Sequence, residues 1–112
     1  METVVQAATL DARVQLAELE AQLRRYMERT DLTADQRRNA TVALVAWKPE
    51  RSIETCVEAA MRRPPCTPQA LAREIVHDAR IRVLWCVQAD YERRTYTQRG
   101  RNDGRIRTQG RR

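Results

Sequence analysis

The chain has 112 residues but only three glycines, and all three, Gly100, Gly104 and Gly110, lie close to its C-terminus. Residues 1–99 therefore lack the residue that most readily adopts the positive φ of tight β-hairpin turns. Over the same stretch apolar residues recur three and four positions apart, the spacing of one helical face. These features predict an all-α fold in which a helical hairpin is followed by two further helices, with residues 1–96 forming one helical domain.

The hairpin is predicted from the first two segments. The first helix extends from Thr3 to Arg29, and a short link leads to the second, which ends near Trp47. Thr33 and Gln36 have the spacing of a capping box at the start of the second helix. The predicted apolar face of the first helix is Val5, Ala8, Ala12, Leu16, Leu19, Leu23 and Tyr26. That of the second is Ala40, Leu44 and Trp47, broadened by Val42 and Val45.

Prolines delimit the next two helices. The third is predicted from Glu50 to Arg63, and the fourth from Pro68, with Thr67 as its N-cap, to about Arg94. The run Ile81–Val87 could also form a buried strand, but the absence of turn residues around it favours a helix. The residues predicted to be buried are Ile53, Val57, Ala60 and Met61 in the third helix, Leu71, Ile75 and Ala79 in the fourth, and both tryptophans with Cys56 and Cys86.

Arginine supplies all but one of the 21 basic residues, and the net charge is +6. The excess is concentrated in residues 97–112, which we predict to be a disordered basic tail. Such a tail is typical of binding to a polyanion through phosphate contacts. It could also be a solubilising tail, or a by-product of a reading frame that overlaps another gene. The tail residues predicted to contact phosphates are Arg99, Arg101, Arg105 and Arg107.

A second basic group lies within the helical domain. It consists of Arg37, Arg38, Thr41, Lys48 and Arg51, on the second helix and at the proline junction. A hairpin would bring Arg24, Arg25 and Arg29 to the same end of the domain. Guanidinium groups match phosphate oxygens, so this face could lie against a nucleic-acid backbone. The alternative is an ordinary solvated face with intrahelical ion pairs, such as Glu20 with Arg24.

Other classes of site find little support. The three cysteines and His77 lack the close spacing of zinc ligands, so we expect no metal and no cofactor. Glu74, His77 and Asp78 lie on adjacent helical turns, but without a nucleophile or a phosphate loop, which predicts a non-enzyme with no small-molecule substrate. The odd cysteine count without a signal peptide indicates an intracellular, cytoplasmic setting. No apolar run is long enough to span a membrane.

The layout resembles the small RNA-silencing suppressors of nodaviruses. The similarity is in the acidic-to-basic first helix, the helix from Thr33 to Trp47, the junction Leu44–Pro49, and the third helix with its Val57–Ala60 run. It covers residues 3–63, whereas the helix from Pro68 to Arg94 is longer than that family usually has. The resemblance implies an antiparallel dimer that lies along duplex RNA without reading its sequence. It also implies RNA-backbone roles for Arg37, Arg38, Thr41, Lys48 and Arg51.

The sequence therefore predicts a homodimer that binds double-stranded RNA through shape and phosphate contacts. By resemblance, it would be a viral suppressor of RNA silencing. The alternative is a helical interaction module, such as a phage or bacterial adaptor, whose tail contacts nucleic acid only incidentally. Sequence-specific DNA binding is disfavoured because no compact helix-turn-helix with a glycine turn is present.

Overall fold

The computed structural model describes the backbone of residues 2–63 and 66–110 and the side chains of residues 2–63 and 66–97. This part of the chain forms four helices: α1 Glu2–Met27, α2 Ala34–Ala46, α3 Pro49–Met61 and α4 Pro68–Gly110. It contains no strand. The predicted all-α fold, with a hairpin and two further helices, is confirmed.

Local capping signals set where the helices begin. Before α2, the Gln36 backbone N–H donates to Thr33 Oγ1 at 3.1 Å, and the Thr33 N–H donates to Gln36 Oε1 at 2.9 Å. This is the predicted capping box. Before α4, Thr67 Oγ1 accepts from the Ala70 N–H at 3.1 Å. Both side chains satisfy backbone donors that the first turn of a helix leaves without an intrahelical partner.

The longest helix, α4, includes residues 81–87, for which the sequence left a strand open; that alternative is wrong. The helix also continues to Gly110, past the end predicted near Arg94. The predicted tail, residues 97–112, thus begins inside this element. The side chains of residues 98–112 lie outside the described residues, and with them the predictions for Arg99, Arg101, Arg105 and Arg107.

The core forms where α1 and α3 pack on the first half of α4, and α2 packs on α4 as well. Leu71 and Ile75 of α4 are completely buried at its centre. Their neighbours in the core cluster are Ala8, Ala12, Leu16, Ile53, Cys56, Ala60, Ala72, Val76 and Ala79. The predicted apolar faces of α1, α3 and the first half of α4 therefore contribute to the core, because each supplies residues at helical spacing.

Alanine dominates this core. Among the residues that the structure describes, seven of the 13 buried apolar residues are alanine, which lets helices approach closely but buries little area per residue. The Cα positions span 71 × 36 × 15 Å, so the molecule is about two helix layers thick. A thin molecule with small core residues leaves several large apolar side chains on its surface.

Four residues predicted to be buried are exposed instead. They are Val45, Met61, Trp85 and Cys86. Each lies on a helix, but on a side that no other described helix covers. Because 3.6 residues form a turn, a helix flanked on one side cannot bury every residue of a long apolar run.

Ion pairs join the helices at the surface. Arg13 of α1 pairs with Glu50 of α3 through both of its Nη atoms. Arg63, just after α3, pairs with Glu74 of α4 at 2.7 Å. All four side chains are substantially exposed, so each pair stabilises the fold only modestly.

Candidate nucleic-acid interface

The α1–α2 hairpin brings only part of the predicted arginine cluster together. Arg37 of α2 reaches the end of α1, where Nη2 donates to the Arg29 carbonyl oxygen at 2.9 Å and Nη1 to that of Met27 at 3.3 Å. The Met27 carbonyl is one that the last turn of α1 leaves without an intrahelical partner, and the Arg29 carbonyl lies in the link just after it. Arg37 therefore connects α2 to the end of α1, and these two hydrogen bonds occupy part of its guanidinium group.

Other arginines of this cluster are held by carboxylates. Arg29 donates to both oxygens of Asp31, at 3.0 and 2.6 Å, and lies 5.5 Å from the ring centre of Tyr26. Hydrogen bonds from Arg29 lower the pKa of the Asp31 carboxyl. Arg24 lies 3.5 Å from Glu20, the intrahelical pair that the alternative interpretation anticipated.

Arg38 points away from the hairpin end and towards α4. Its Nε and Nη2 donate to the two oxygens of Asp90, both at 3.1 Å. The Asp90 side chain is 13% exposed and also lies 3.0 Å from Arg94 Nε. Hydrogen bonding from Arg38 lowers the pKa of Asp90. This pair connects α2 to α4, so Arg38 has a clear role in the fold.

Three of the four remaining predicted residues of the domain meet in one groove, whereas Arg25 is exposed on α1 and does not line it. Thr41, Lys48 and Arg51 line a depression of about 780 Å³ between α2, the α2–α3 junction and the middle of α4. We call it the α2–α4 groove. Its other lining residues are Val42, Val45, Ala46, Asp78, Ile81, Arg82, Trp85, Cys86, Ala89, Asp90 and Arg93.

The acidic residues of the α2–α4 groove already have basic partners. Asp78 accepts from Arg82 Nε at 2.7 Å, and Asp90 is held by Arg38 and Arg94. Within the described side chains, no carboxylate lies within 4.0 Å of Lys48, Arg51 or Arg93. The groove thus carries three cations that are available to an anionic ligand.

The start of α3 adds to this positive field. Lys48 occupies the N-cap of α3 and Pro49 its first turn, and no side chain caps the helix there. The N-terminal end of a helix carries a partial positive charge. Lys48 and Arg51 therefore lie where the helix dipole reinforces their own charge.

Apolar side chains form much of the groove's surface. Val45 is 74% exposed and Trp85 is 72% exposed, and Ile81, Cys86 and Ala89 lie beside them. Trp47, by contrast, is half-buried and packs against the core, as predicted. One signal in the sequence could have revealed Trp85: residues 83–87 are all apolar, and consecutive helical residues cannot all face the core.

Sequence reasoning also missed Arg82 and Arg93 as groove residues. Both come from α4, more than thirty positions after Lys48, so no local spacing connects them. Arg82 additionally donates to Thr55 Oγ1 of α3 at 3.2 Å. It therefore helps to fix α3 against α4 at the edge of the groove.

The possible catalytic residues are engaged elsewhere or exposed. Glu74 pairs with Arg63 and Asp78 with Arg82, while His77 is exposed. Over the described ranges, no group of three or more His, Cys, Asp or Glu side chains could hold a metal ion.

Burial, with the nearby charges of Asp78 and Glu74, raises the pKa of the Cys56 thiol to about 11.

Comparisons with protein-family models, with curated proteins and with solved structures found no match. Among the helices in the described part of the chain, none is both long and apolar enough to cross a membrane.

Proposed function

We propose that this protein binds double-stranded RNA through phosphate contacts made by the α2–α4 groove and its rim. The observation that carries this proposal is the meeting of Lys48, Arg51 and Arg93 without carboxylate partners among the described side chains. Cations without an acidic partner can exchange their counterions for phosphates, which makes binding favourable and dependent on salt.

Duplex RNA is favoured over a sequence-specific DNA site for two reasons. The deep, narrow major groove of A-form RNA hides its base edges, so a protein that contacts only the backbone is suited to it. The cationic residues also come from three different elements: Lys48 from the α2–α3 junction, Arg51 from α3 and Arg93 from α4. Their fixed arrangement suits recognition of the shape of a duplex. By resemblance to the nodaviral suppressors, the bound duplex would be shielded from silencing nucleases in the host cytoplasm.

We further propose that the functional form is a homodimer. The core is small and rich in alanine, and several large apolar side chains remain exposed. A small domain gains stability when a second copy covers such residues. We expect a solution mass of twice 13.1 kDa by light scattering. A monomeric mass at every concentration would contradict this part of the proposal.

The decisive experiment is a binding titration by fluorescence anisotropy, repeated between about 50 and 200 mM salt. The test variant is Lys48→Ala with Arg51→Ala. The matched control is Arg73→Ala with Arg80→Ala, which removes the same charge from exposed residues of α4 outside the groove. We expect the test variant to bind duplex RNA about tenfold more weakly, and the control to bind nearly as the parent does. Equal weakening in both variants would contradict the assignment of the phosphate contacts to the α2–α4 groove.

The exposed apolar residues favour a second candidate function, that of a helical interaction module. Val45 and Trp85 offer a surface on which an amphipathic helix of another protein could lie. The same titration separates the two functions. An interaction module binds duplex RNA, duplex DNA and single strands with equal affinity, and only deletion of residues 98–112 weakens that binding.

A further inference from the structure

Phosphate contacts alone do not explain why an exposed tryptophan, Trp85, lines the α2–α4 groove. Its side chain is 72% exposed although it lies in a groove and carries the largest apolar surface of any residue type. A tryptophan so exposed is accessible to a ligand that can stack on its ring. The available cations Lys48, Arg51 and Arg93 line the same groove, so an aromatic face and anion-binding groups occur together.

This combination matches the chemistry of a nucleotide. Aromatic rings stack on bases whatever the sequence, because every base has a π face, while basic residues bind the adjoining phosphates. Val45, Ile81 and Ala89 provide apolar surface around Trp85 that can contact the face of a stacked base. The groove's volume of about 780 Å³ also falls within the range of small-ligand sites.

Bases inside a duplex cannot use this site. Each has a stacked neighbour above and below, so both of its faces are already covered. An unpaired nucleotide, by contrast, has a free face and can leave the helix axis. The groove's cations can contact phosphates of any strand, but Trp85 can contact only a base that is not stacked within a duplex.

We infer that the α2–α4 groove binds an unpaired nucleotide that adjoins duplex RNA, with the base stacked on Trp85 and the flanking phosphates on Lys48 and Arg51. This inference rests on the proposed function. It narrows the ligand from duplex RNA in general to duplex RNA with a single-stranded end or bulge.

The inference is tested with one duplex sequence prepared in two forms, blunt and with an unpaired dinucleotide at each 3′ end. Affinities are measured for the parent, Trp85→Leu, Trp85→Phe and the control Tyr96→Leu. Tyr96 is a suitable control because it is an aromatic residue of α4 that is 79% exposed and lies outside the groove lining. Circular dichroism verifies that each variant keeps its helical content.

The parent is expected to bind the overhanging duplex about five- to 150-fold more tightly than the blunt duplex, the range of one stacked base. Trp85→Leu removes this preference, Trp85→Phe keeps part of it, and Tyr96→Leu keeps it all. Overhanging RNA also quenches the tryptophan emission of the parent but not that of Trp85→Phe, whose remaining Trp47 packs against the core.

Two results would overturn the inference. One is that Trp85→Leu leaves the preference for the overhanging duplex unchanged, because it weakens binding to both duplexes equally or to neither. The other is a fall in solution mass caused by Trp85→Leu, which would assign Trp85 to the contact between two copies. A different result would contradict the proposed function itself, namely that Lys48→Ala with Arg51→Ala leaves the affinity for both duplexes unchanged.

Discussion

The α1–α2 end and the α2–α4 groove are both rich in basic residues, but they differ in what those residues contact. At the α1–α2 end, Arg29 is paired with Asp31, and Arg37 donates to backbone carbonyls. In the groove, Lys48, Arg51 and Arg93 have no carboxylate within 4.0 Å among the described side chains. For this reason we propose the groove, and not the arginine-rich α1–α2 end, as the phosphate-binding surface.

Charge reversal should give the largest difference in RNA affinity between the two regions. We expect Lys48→Glu with Arg51→Glu to weaken duplex RNA binding by about 100-fold, because it replaces phosphate attraction by repulsion. The matched change Arg24→Glu with Arg29→Glu, at the α1–α2 end, should weaken binding less than tenfold. Anisotropy titrations measure both, and a larger effect at the α1–α2 end would reverse the comparison.

Cysteine alkylation should mark the groove as an open surface. Cys86 lines the groove and is exposed, whereas Cys56 is buried with a pKa of about 11. Only a thiolate reacts readily, so at pH 8 we expect Cys86 to be alkylated about 100-fold faster than Cys56. Peptide mass spectrometry follows both residues in one sample. Duplex RNA should slow labelling of Cys86, and unchanged labelling would argue against an occupied groove.

The capping box should affect stability without affecting the groove. Thr33→Ala removes the side chain that accepts from the Gln36 N–H, which costs about 1 kcal/mol and lowers Tm by about 4–8 °C. Thr30→Ala is the control, since Thr30 is exposed and lies in the same link. Thermal unfolding followed by circular dichroism gives the Tm values. RNA affinity of the folded variant should be unchanged.

The Arg38–Asp90 pair should give the smallest effect, and one that depends on pH. Arg38→Ala is expected to lower Tm by about 3 °C at pH 7, because Asp90 retains Arg94. Arg38 lowers the pKa of Asp90, so the stability that the pair contributes is present above the unfolded-state pKa of about 3.9 and is lost as the pH falls through the lower folded-state value. The Tm difference should therefore vanish in acid. A difference that grows below about pH 4 would contradict this assignment.

Much of the fold follows from local sequence. Thr33 and Thr67 precede α2 and α4 as predicted N-caps, and Pro49 begins α3, because capping and proline geometry depend only on nearby residues. Leu71 and Ile75 were predicted to be buried from their spacing, and they are. Spacing does not show which side of α4 lacks a neighbouring helix, so the sequence predicts a buried Trp85 where the structure has an exposed one.

The candidate site was predictable only in part for the same reason. Thr41, Lys48 and Arg51 are close in sequence, so their spacing alone indicates that they belong to one surface. Arg93 joins them only because α4 lies beside α2 in three dimensions. Arg38 illustrates the reverse case, since its partner Asp90 is 52 positions away and no local pattern indicates the pair.

The junction between α2 and α3 has an evolutionary consequence. Only Trp47 and Lys48 separate the two helices, and Lys48 is itself a groove cation. Neither residue is helical, so an insertion or deletion of one residue would shift and reorient α3 relative to α2. Arg51 would then turn away from the groove and Ile53 out of the core together. Substitutions can tune the charge at this junction, but a change in its length would disrupt the groove and the core together. We therefore expect the length to be far more constrained than the residues that compose it.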